Sequence, residues 1–492
     1  MTDALVVGLD LGTSRLKGVV ADRSGGVVAA AAEPYPTARP APGAAEQDPA
    51  HWERAVRAVL ERLASATPAS SWTAIGLSGM IPTLVTLDAR GRPTGAAITW
   101  EDARALREGD AFRERVGGDD LYRRTGQWVD GRYLLPMFAR IRREDPGRAG
   151  ATATIAGAKD HLHALLTGTA ATDPSTATGF GCFDLAAGRW DEALVESAFG
   201  DGPRVGLPAI DSPAAATPMR DDLAKELGLP AGIPVSLGAA DSVCGALALG
   251  ARRAGDVAIV AGTSSVILGI AAEPRLDPAH RYLVTPLAHA GWGLEMDLVS
   301  TGSAIAWLAA LMGVDEAGVV ATAARAEPGA RGVSFLPFLG PGEQGALWDP
   351  SLRGTLAGLT LSHEPGDVAR ALLEGVVLET RRCVAVLAEA SGSLGDVVVA
   401  GWMGTDPVPQ WLADATGRSV RASAEGGGAS ALGAALVAAG AAAEEAPVAV
   451  EAGTRHPTGE GVERWGELWG RHARLVEAVR EAGGADREES AR

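Results

Sequence analysis

The chain has 492 residues and a formal net charge of -17, with 47% hydrophobic and 21% charged residues. That length exceeds one ordinary core and predicts two domains or more, while the acidic balance argues against nucleic acid or an anionic membrane surface as partner. Cys182, Cys244 and Cys383 lie far apart with no Cys-x-x-Cys spacing, which offers no zinc site and fits a reducing compartment, the cytoplasm.

The apolar run Ala4 to Leu9 follows an early Asp3 and is too short for a signal peptide or a membrane span. It reads instead as a buried strand that meets the turn Gly12-Thr13-Ser14, after which Leu16 to Ala21 reads as a second strand: a hairpin. Strand-like runs at Val27 to Ala32, Ala74 to Leu77 and Thr83 to Leu87 alternate with helical patterns, which predicts an α/β architecture. Asp48 is the expected cap of a helix through Ser65, with Pro49 at its first position and Trp52, Val56, Val59, Leu60 and Leu63 on one stripe. Asp88 to Arg92 reads as a turn between two strands. A helix is expected at Ala158 to Thr167, where His161 and His163 diverge as surface or packing residues, and a strand at Val235 to Leu237.

Gly238-Ala239-Ala240-Asp241 then enters an apolar helix, Ser242 to Leu249. In the second half, Ala258 to Ala261 leads to Gly262-Thr263-Ser264 and a further strand, Val266 to Ile270, so the first hairpin recurs 250 residues on. Helices at Ser303 to Met312, Glu364 to Ser391 and Ala429 to Gly440, a strand at Val397 to Ala400, and a last helix with Trp465 and Trp469 in its core complete the pattern. The expected domains are 1–250 and 251–482, with 483–492 as a flexible tail.

Glycine lets backbone N–H groups approach a phosphate closely, and Thr and Ser add hydroxyl donors, so two Gly-Thr-Ser hairpins point to a polyphosphate. Phosphoryl transfer also needs a divalent ion and a group that takes the attacking hydroxyl's proton. Asp10, at the end of the first strand, is either a magnesium ligand or a turn-capping carboxylate. Lys17, one of three lysines in the chain, meets a phosphate or is a solvated strand-end residue. Asp241 stands at a helix mouth as cap, as general base, or as both.

The chain resembles the FGGY carbohydrate kinases, of the sugar kinase, actin and Hsp70 superfamily, over nearly its whole length. The likeness is carried by Asp10-Leu11-Gly12-Thr13-Ser14 with Lys17, Trp100-Glu101-Asp102-Ala103-Arg104, Lys159-Asp160, Thr172-Asp173-Pro174-Ser175, Gly238-Ala239-Ala240-Asp241, Gly262-Thr263-Ser264 and Ala431-Leu432-Gly433-Ala434-Ala435. The resemblance implies two actin-like (ribonuclease H-like) α/β domains, with mixed sheets flanked by helices and with ATP and sugar in the cleft between them. It implies transfer of the γ-phosphoryl group of ATP to a sugar hydroxyl, with Asp241 as base, Asp10 on Mg2+, and Thr13, Ser14, Lys17, Gly262, Thr263 and Ser264 on the phosphates. Gly401 and Gly404 fall to the adenosine loop, and Met80, Trp100, Asp102, Arg104 and Asp241 to the sugar.

Two departures stand out. Many xylulokinases and gluconokinases carry Gln-Met-His in the sugar-side turn, which here reads Ser78-Gly79-Met80-Ile81-Pro82-Thr83. The usual triple glycine of the adenosine loop becomes Gly401-Trp402-Met403-Gly404, in which Trp402 either stacks on the nucleotide or packs. The likeness implies a ketopentose such as D-xylulose as substrate, with gluconate or another sugar or polyol as the alternative. An actin-like ATPase switch without a sugar is the reading from another class. A homodimer is compatible with the family, and no residue pattern demands it.

Overall fold

Six apolar or small residues and one carboxylate, Asp10, make up Leu5–Leu11, a wholly buried strand at the middle of a mixed sheet. The computed structural model describes residues 4–22, 25–199, 204–340, 345–349, 352–392, 394–423, 427–440 and 451–490. The chain forms two compact units: Met1–Gly250 with Ala272–Gly293 and Gly428–Ala449, and Ala251–Ala271 with Leu294–Gly427 and Val450–Arg492. Two segments that the sequence assigned to the second domain therefore pack in the first. For Ala429–Ala438 the cause is composition: Ala431, Gly433, Ala434 and Ala435 make a helix narrow enough to lie with its backbone almost on that of the strands.

The sheet of the first unit runs Ala216–Pro218, Pro234–Ala240, Trp72–Gly79, Leu5–Leu11, Arg15–Ala21, Val27–Pro34. The three central strands are parallel at Pro234–Ala240, Trp72–Gly79 and Leu5–Leu11, and the rest pair antiparallel. Helix Pro49–Ala66 begins as its sequence predicts, with the Asp48 carboxylate accepting from the Ala50 N–H at 2.9 Å. It buries Trp52, Val56, Val59, Leu60 and Leu63, a stripe worth roughly 1.5–3 kcal/mol per fully buried side chain. A smaller sheet orders Glu46–Gln47, Ala97–Ile98, Leu84–Leu87 and Thr154–Gly157 beside a second core that includes Phe112, Phe138 and Phe180.

His161 and His163, on helix Ala158–Thr167, are both buried, so the packing alternative is the one realised. Burial pushes His161 down to about 4 from 6.5, against a smaller opposite pull from Glu53. Below pH 6.5 the unfolded chain takes this proton and the folded chain does not until about pH 4, so stability falls as pH falls through that window. The span corresponds to roughly 3 kcal/mol. His161→Leu is expected to flatten the acid limb of a urea-unfolding series between pH 7 and 4; parallel limbs in variant and parent would show that the ring is not the sensor.

In the second unit the sheet runs Trp292–Leu298, Ser265–Ala271, Val257–Ala261, Val397–Gly401, Val420–Ser423, Glu451–Arg455. Helix Pro365–Ser391 is capped reciprocally by Glu364 and Asp367. The last helix, Gly459–Ser490, buries Trp465 and inserts His472 against Glu379, Nε2 to Oε1 2.6 Å. It takes in most of the segment expected to be a tail, and 491–492 lie outside the described residues. Glu, Arg and Ala, which dominate that segment, are among the better helix formers. Among the described residues no single helix is long and apolar enough to cross a membrane.

Candidate active site

In the first unit, the Gly12-Thr13-Ser14 turn joins Leu5–Leu11 to Arg15–Ala21, and the register pairs Asp10 with Lys17. That cross-strand pairing puts both side chains on one face, with Lys17 Nζ 4.0 Å from Asp10 Oδ2. Ser78 Oγ donates to Asp10 Oδ1 at 3.1 Å. Burial raises the Asp10 pKa above its ordinary value, with Lys17 and then Ser78 opposing it. The turn itself is braced: the Tyr35 hydroxyl donates to Gly12 O, Gln47 Nε2 to Thr13 O at 2.6 Å, and Trp100 Nε1 to Thr13 Oγ1 at 3.0 Å.

Asp10, Ser78 and Ala239 occupy one row across the three parallel strands. Two strand spacings put Ala239 about 10 Å from Asp10, and Asp241 follows two residues later as the first residue of helix Asp241–Ala248, so both aspartates stand at the carboxyl edge of the sheet. The expected cap role is corrected: Ala240 is the cap residue, because the helix starts directly off the strand. The Ser242 N–H donates to Asp241 Oδ1 at 2.9 Å and orients the carboxylate.

The residues expected to meet a sugar divide. Trp100 is half-buried and reaches the hairpin, as above. Asp102 is 2% exposed and is occupied internally, accepting from Ala45 N at 2.9 Å and from Arg104 N, Nε and Nη2. Arg104 Nη2 also pairs with Glu46 Oε1 at 2.5 Å. Met80 is buried, its N–H donating to Leu11 O at 2.9 Å. Asp102 and Arg104 thus knot the loops around Ala45 and Trp100.

In the second unit, Val257–Ala261 and Ser265–Ala271 form the other hairpin, with Gly262 and Thr263 exposed at its tip. The turn is closed by Gly262 N–H to Ser264 O at 2.8 Å, and the Ser303 N–H donates to Thr263 O at 2.9 Å. Helix Gly302–Met312 therefore starts against the turn, which sets the positive end of its dipole there. Ala261 pairs with Gly401, whose φ of 76° and a Cβ that would fall 1.8 Å from Ala261 O admit glycine only. Gly404 lies beside Ser423 O. A cavity of about 710 Å³ opens beside this hairpin, lined by Thr263, Ser303, Glu316, Trp402 and Asp406 among others. Trp402 lines this cavity, and among the described residues its buried Nε1 has no hydrogen-bond partner.

The structure brings together Asp10, Thr13, Lys17 and Trp100 in one unit and Gly262, Thr263, Gly401 and Trp402 in the other. Sequence reasoning gave no role to Ser78, Tyr35 or Ser303, whose partners are distant in the chain. Among the described residues no three His, Cys, Asp or Glu side chains gather in metal-holding range. One carboxylate nevertheless suits magnesium, which keeps several waters and is held by one or two carboxylates plus substrate phosphates.

Residues 5–248 match the FGGY family of carbohydrate kinases, N-terminal domain, and residues 257–442 the C-terminal domain of the same family. The xylulose kinase of Escherichia coli is 30% identical over 76% of this chain and 76% of its own, and the gluconokinase of Bacillus subtilis is 28% identical over 76% and 74%. A crystal structure of xylulose kinase from Rhodospirillum rubrum, 31% identical, superposes with a TM-score of 0.87 over 98% of this chain and 100% of that one. The family members phosphorylate sugar hydroxyls, which sets aside a switch without a sugar substrate. With two Gly-Thr-Ser hairpins, one in each unit, and matches to both family domains, the chain belongs to the FGGY family of carbohydrate kinases and is a phosphotransferase.

Proposed function

We propose that this kinase transfers the γ-phosphoryl group of ATP to a hydroxyl of a ketopentose, D-xylulose foremost, with Asp241 as the base. The observation that carries the reading is the row Asp10–Ser78–Ala239, which sets a carboxylate and a lysine at the hairpin and a second carboxylate at the same sheet edge. Asp241 accepts the proton of the attacking hydroxyl at its carboxylate, which the Ser242 N–H keeps aimed. Lys17 and the Thr13 and Ser14 donors meet a phosphate in the first unit, and Gly262, Thr263 and Ser264 form the phosphate turn of the second. Trp402 lines the cavity that takes the nucleoside, whose base stacks on the indole. Asp10 would hold Mg2+, which when bound would supply positive charge against the charge that builds on the transferring group. Exclusion of water favours the sugar hydroxyl over hydrolysis.

Xylulose is preferred because xylulose kinases recur among the relatives, at 30% identity for one sequence and 31% for one structure. Gluconate is the second reading, supported by the Bacillus subtilis relative. A panel of D-xylulose, D-gluconate, L-ribulose and glycerol, read as ADP release, tests the choice. D-xylulose is expected to lead in kcat/KM by about tenfold or more, since a site built around particular hydroxyls rejects sugars that leave its donors unpaired. An inert xylulose with rapid gluconate turnover would overturn the substrate and leave the kinase reading intact.

A further inference from the structure

Strand Pro234–Ala240 does not run straight to Asp241. Its pairing with Trp72–Gly79 shifts between Ser236 and Ala239, where one extra residue is accommodated and Gly238 takes a φ of 67°. A Cβ at Gly238 would fall 1.6 Å from Leu77 O, so the bulge is pressed against its neighbour and only glycine fits. The ladder leaves Leu237 O without its strand partner, and Lys159 Nζ donates to it at 2.9 Å. At the end of the strand the Ala240 N–H is taken by Ser175 Oγ at 2.9 Å.

These two side chains belong to one buried cluster. Lys159, 1% exposed, has its ammonium 3.0 Å from Asp173 Oδ1 and 3.6 Å from Asp160 Oδ1. Burial alone would lower its pKa, but Asp173 and Asp160 carry it above the ordinary value, so the charge persists. Asp173 accepts from the Ser175 N–H at 2.8 Å and from the Ser175 hydroxyl, and from Thr176 Oγ1 at 2.6 Å. Asp160 accepts from the Gly157 N–H at 2.8 Å. The Ser175 hydroxyl therefore has a fixed direction: it donates to Asp173 and accepts from Ala240.

A buried ion pair is a poor device for stability, since apolar residues of equal volume often do as well. What it supplies here is direction, because its two free ends grip two backbone groups of one bulged strand, four residues and one residue before Asp241. We propose that Lys159, Asp173 and Ser175 are positioning residues that set the place of the Asp241 carboxylate through the bulged strand. The inference rests on the reading of Asp241 as the base, and acts on no substrate atom directly. A displacement of order 1 Å at a reacting group costs up to about 10²-fold in rate.

Lys159→Met would leave two carboxylates facing each other in the core and would test folding more than positioning, so Ser175→Ala is the informative change. In the full-length enzyme, S175A is expected to keep its circular dichroism spectrum and its KM for sugar and ATP within about threefold, while kcat falls about 10- to 10²-fold. Ser175→Thr, which restores a hydroxyl, is expected to recover most of that loss. D241N is measured beside them. If D241N keeps its turnover, the base assignment falls whatever S175A does. If D241N is inactive while S175A has the parent's kcat and only a lower melting temperature, the cluster is structural and the positioning inference alone falls.

Discussion

Asp241→Asn is expected to lower kcat for sugar phosphorylation by about 10²- to 10⁴-fold, with KM for ATP and sugar within a few-fold of the parent. The amide keeps the size of the carboxylate and an oxygen to accept from the Ser242 N–H, so helix Asp241–Ala248 retains its start. Only the capacity to take a proton is removed. Residual turnover would come from the phosphate donors of the two hairpins and from binding, neither of which the substitution touches. Steady-state kinetics of D241N in a coupled ADP assay decides it: turnover within threefold of the parent would move the base elsewhere, whereas a rise in KM with kcat intact would make Asp241 a sugar-binding group and no more.

What could be read from the chain and what could not divide by distance along it. The hairpin was legible because a Gly-Thr-Ser turn between two apolar runs is local, and the seven-residue spacing of Asp10 and Lys17 gives a cross-strand pair once the turn is fixed. Helix Pro49–Ala66 was legible for the same reason, its cap, proline and stripe all lying within 18 residues. The destination of Ala429–Ala438 was not. A helix apolar on nearly every side announces burial, yet nothing in it names the strands it lies on, more than 350 residues earlier. Asp102 and Arg104 show the matching difficulty in the site: their motif marks a place, but whether a carboxylate faces a ligand or its own arginine depends on Ala45 and Glu46, which a different loop delivers. Strand Trp292–Leu298 was legible in its alternation, Trp292, Leu294, Met296 and Leu298 against Gly293, Glu295 and Asp297, whereas Leu283–Pro286 is only four residues long and ends in a proline, too short to show a period.

Gly76→Val is expected to lower the melting temperature by roughly 5 °C or more, or to prevent folding of the first unit altogether. Gly8 and Gly76 face each other across the parallel strands, and helix Ala429–Ala438 lies over both. A Cβ would fall 1.8 Å from Ala431 O at Gly8 and 1.9 Å from Ala434 O at Gly76, both backbone atoms that no rotamer change can clear. Gly433 on the same helix meets Cys244 O of helix Asp241–Ala248 at 1.9 Å from its would-be Cβ. Three glycines thus let sheet, helix and helix stack at backbone contact. Valine at position 76 has to lift the middle layer, and overpacking of this kind costs about 3 kcal/mol or more where the neighbour cannot yield, which for a unit of this size is roughly 5 °C or more. Because the lifted helix also carries Asp241–Ala248, any folded G76V is expected to lose sugar phosphorylation with it. Gly150→Ala is the control, since nothing lies within 4 Å of its would-be Cβ and it sits in helix Pro146–Ala151, where alanine is tolerated or slightly stabilising. Differential scanning fluorimetry of both variants beside the parent reads the outcome: G76V melting with G150A would show that the helix has room to move and that the contact is not what fixes Asp241 to the sheet edge.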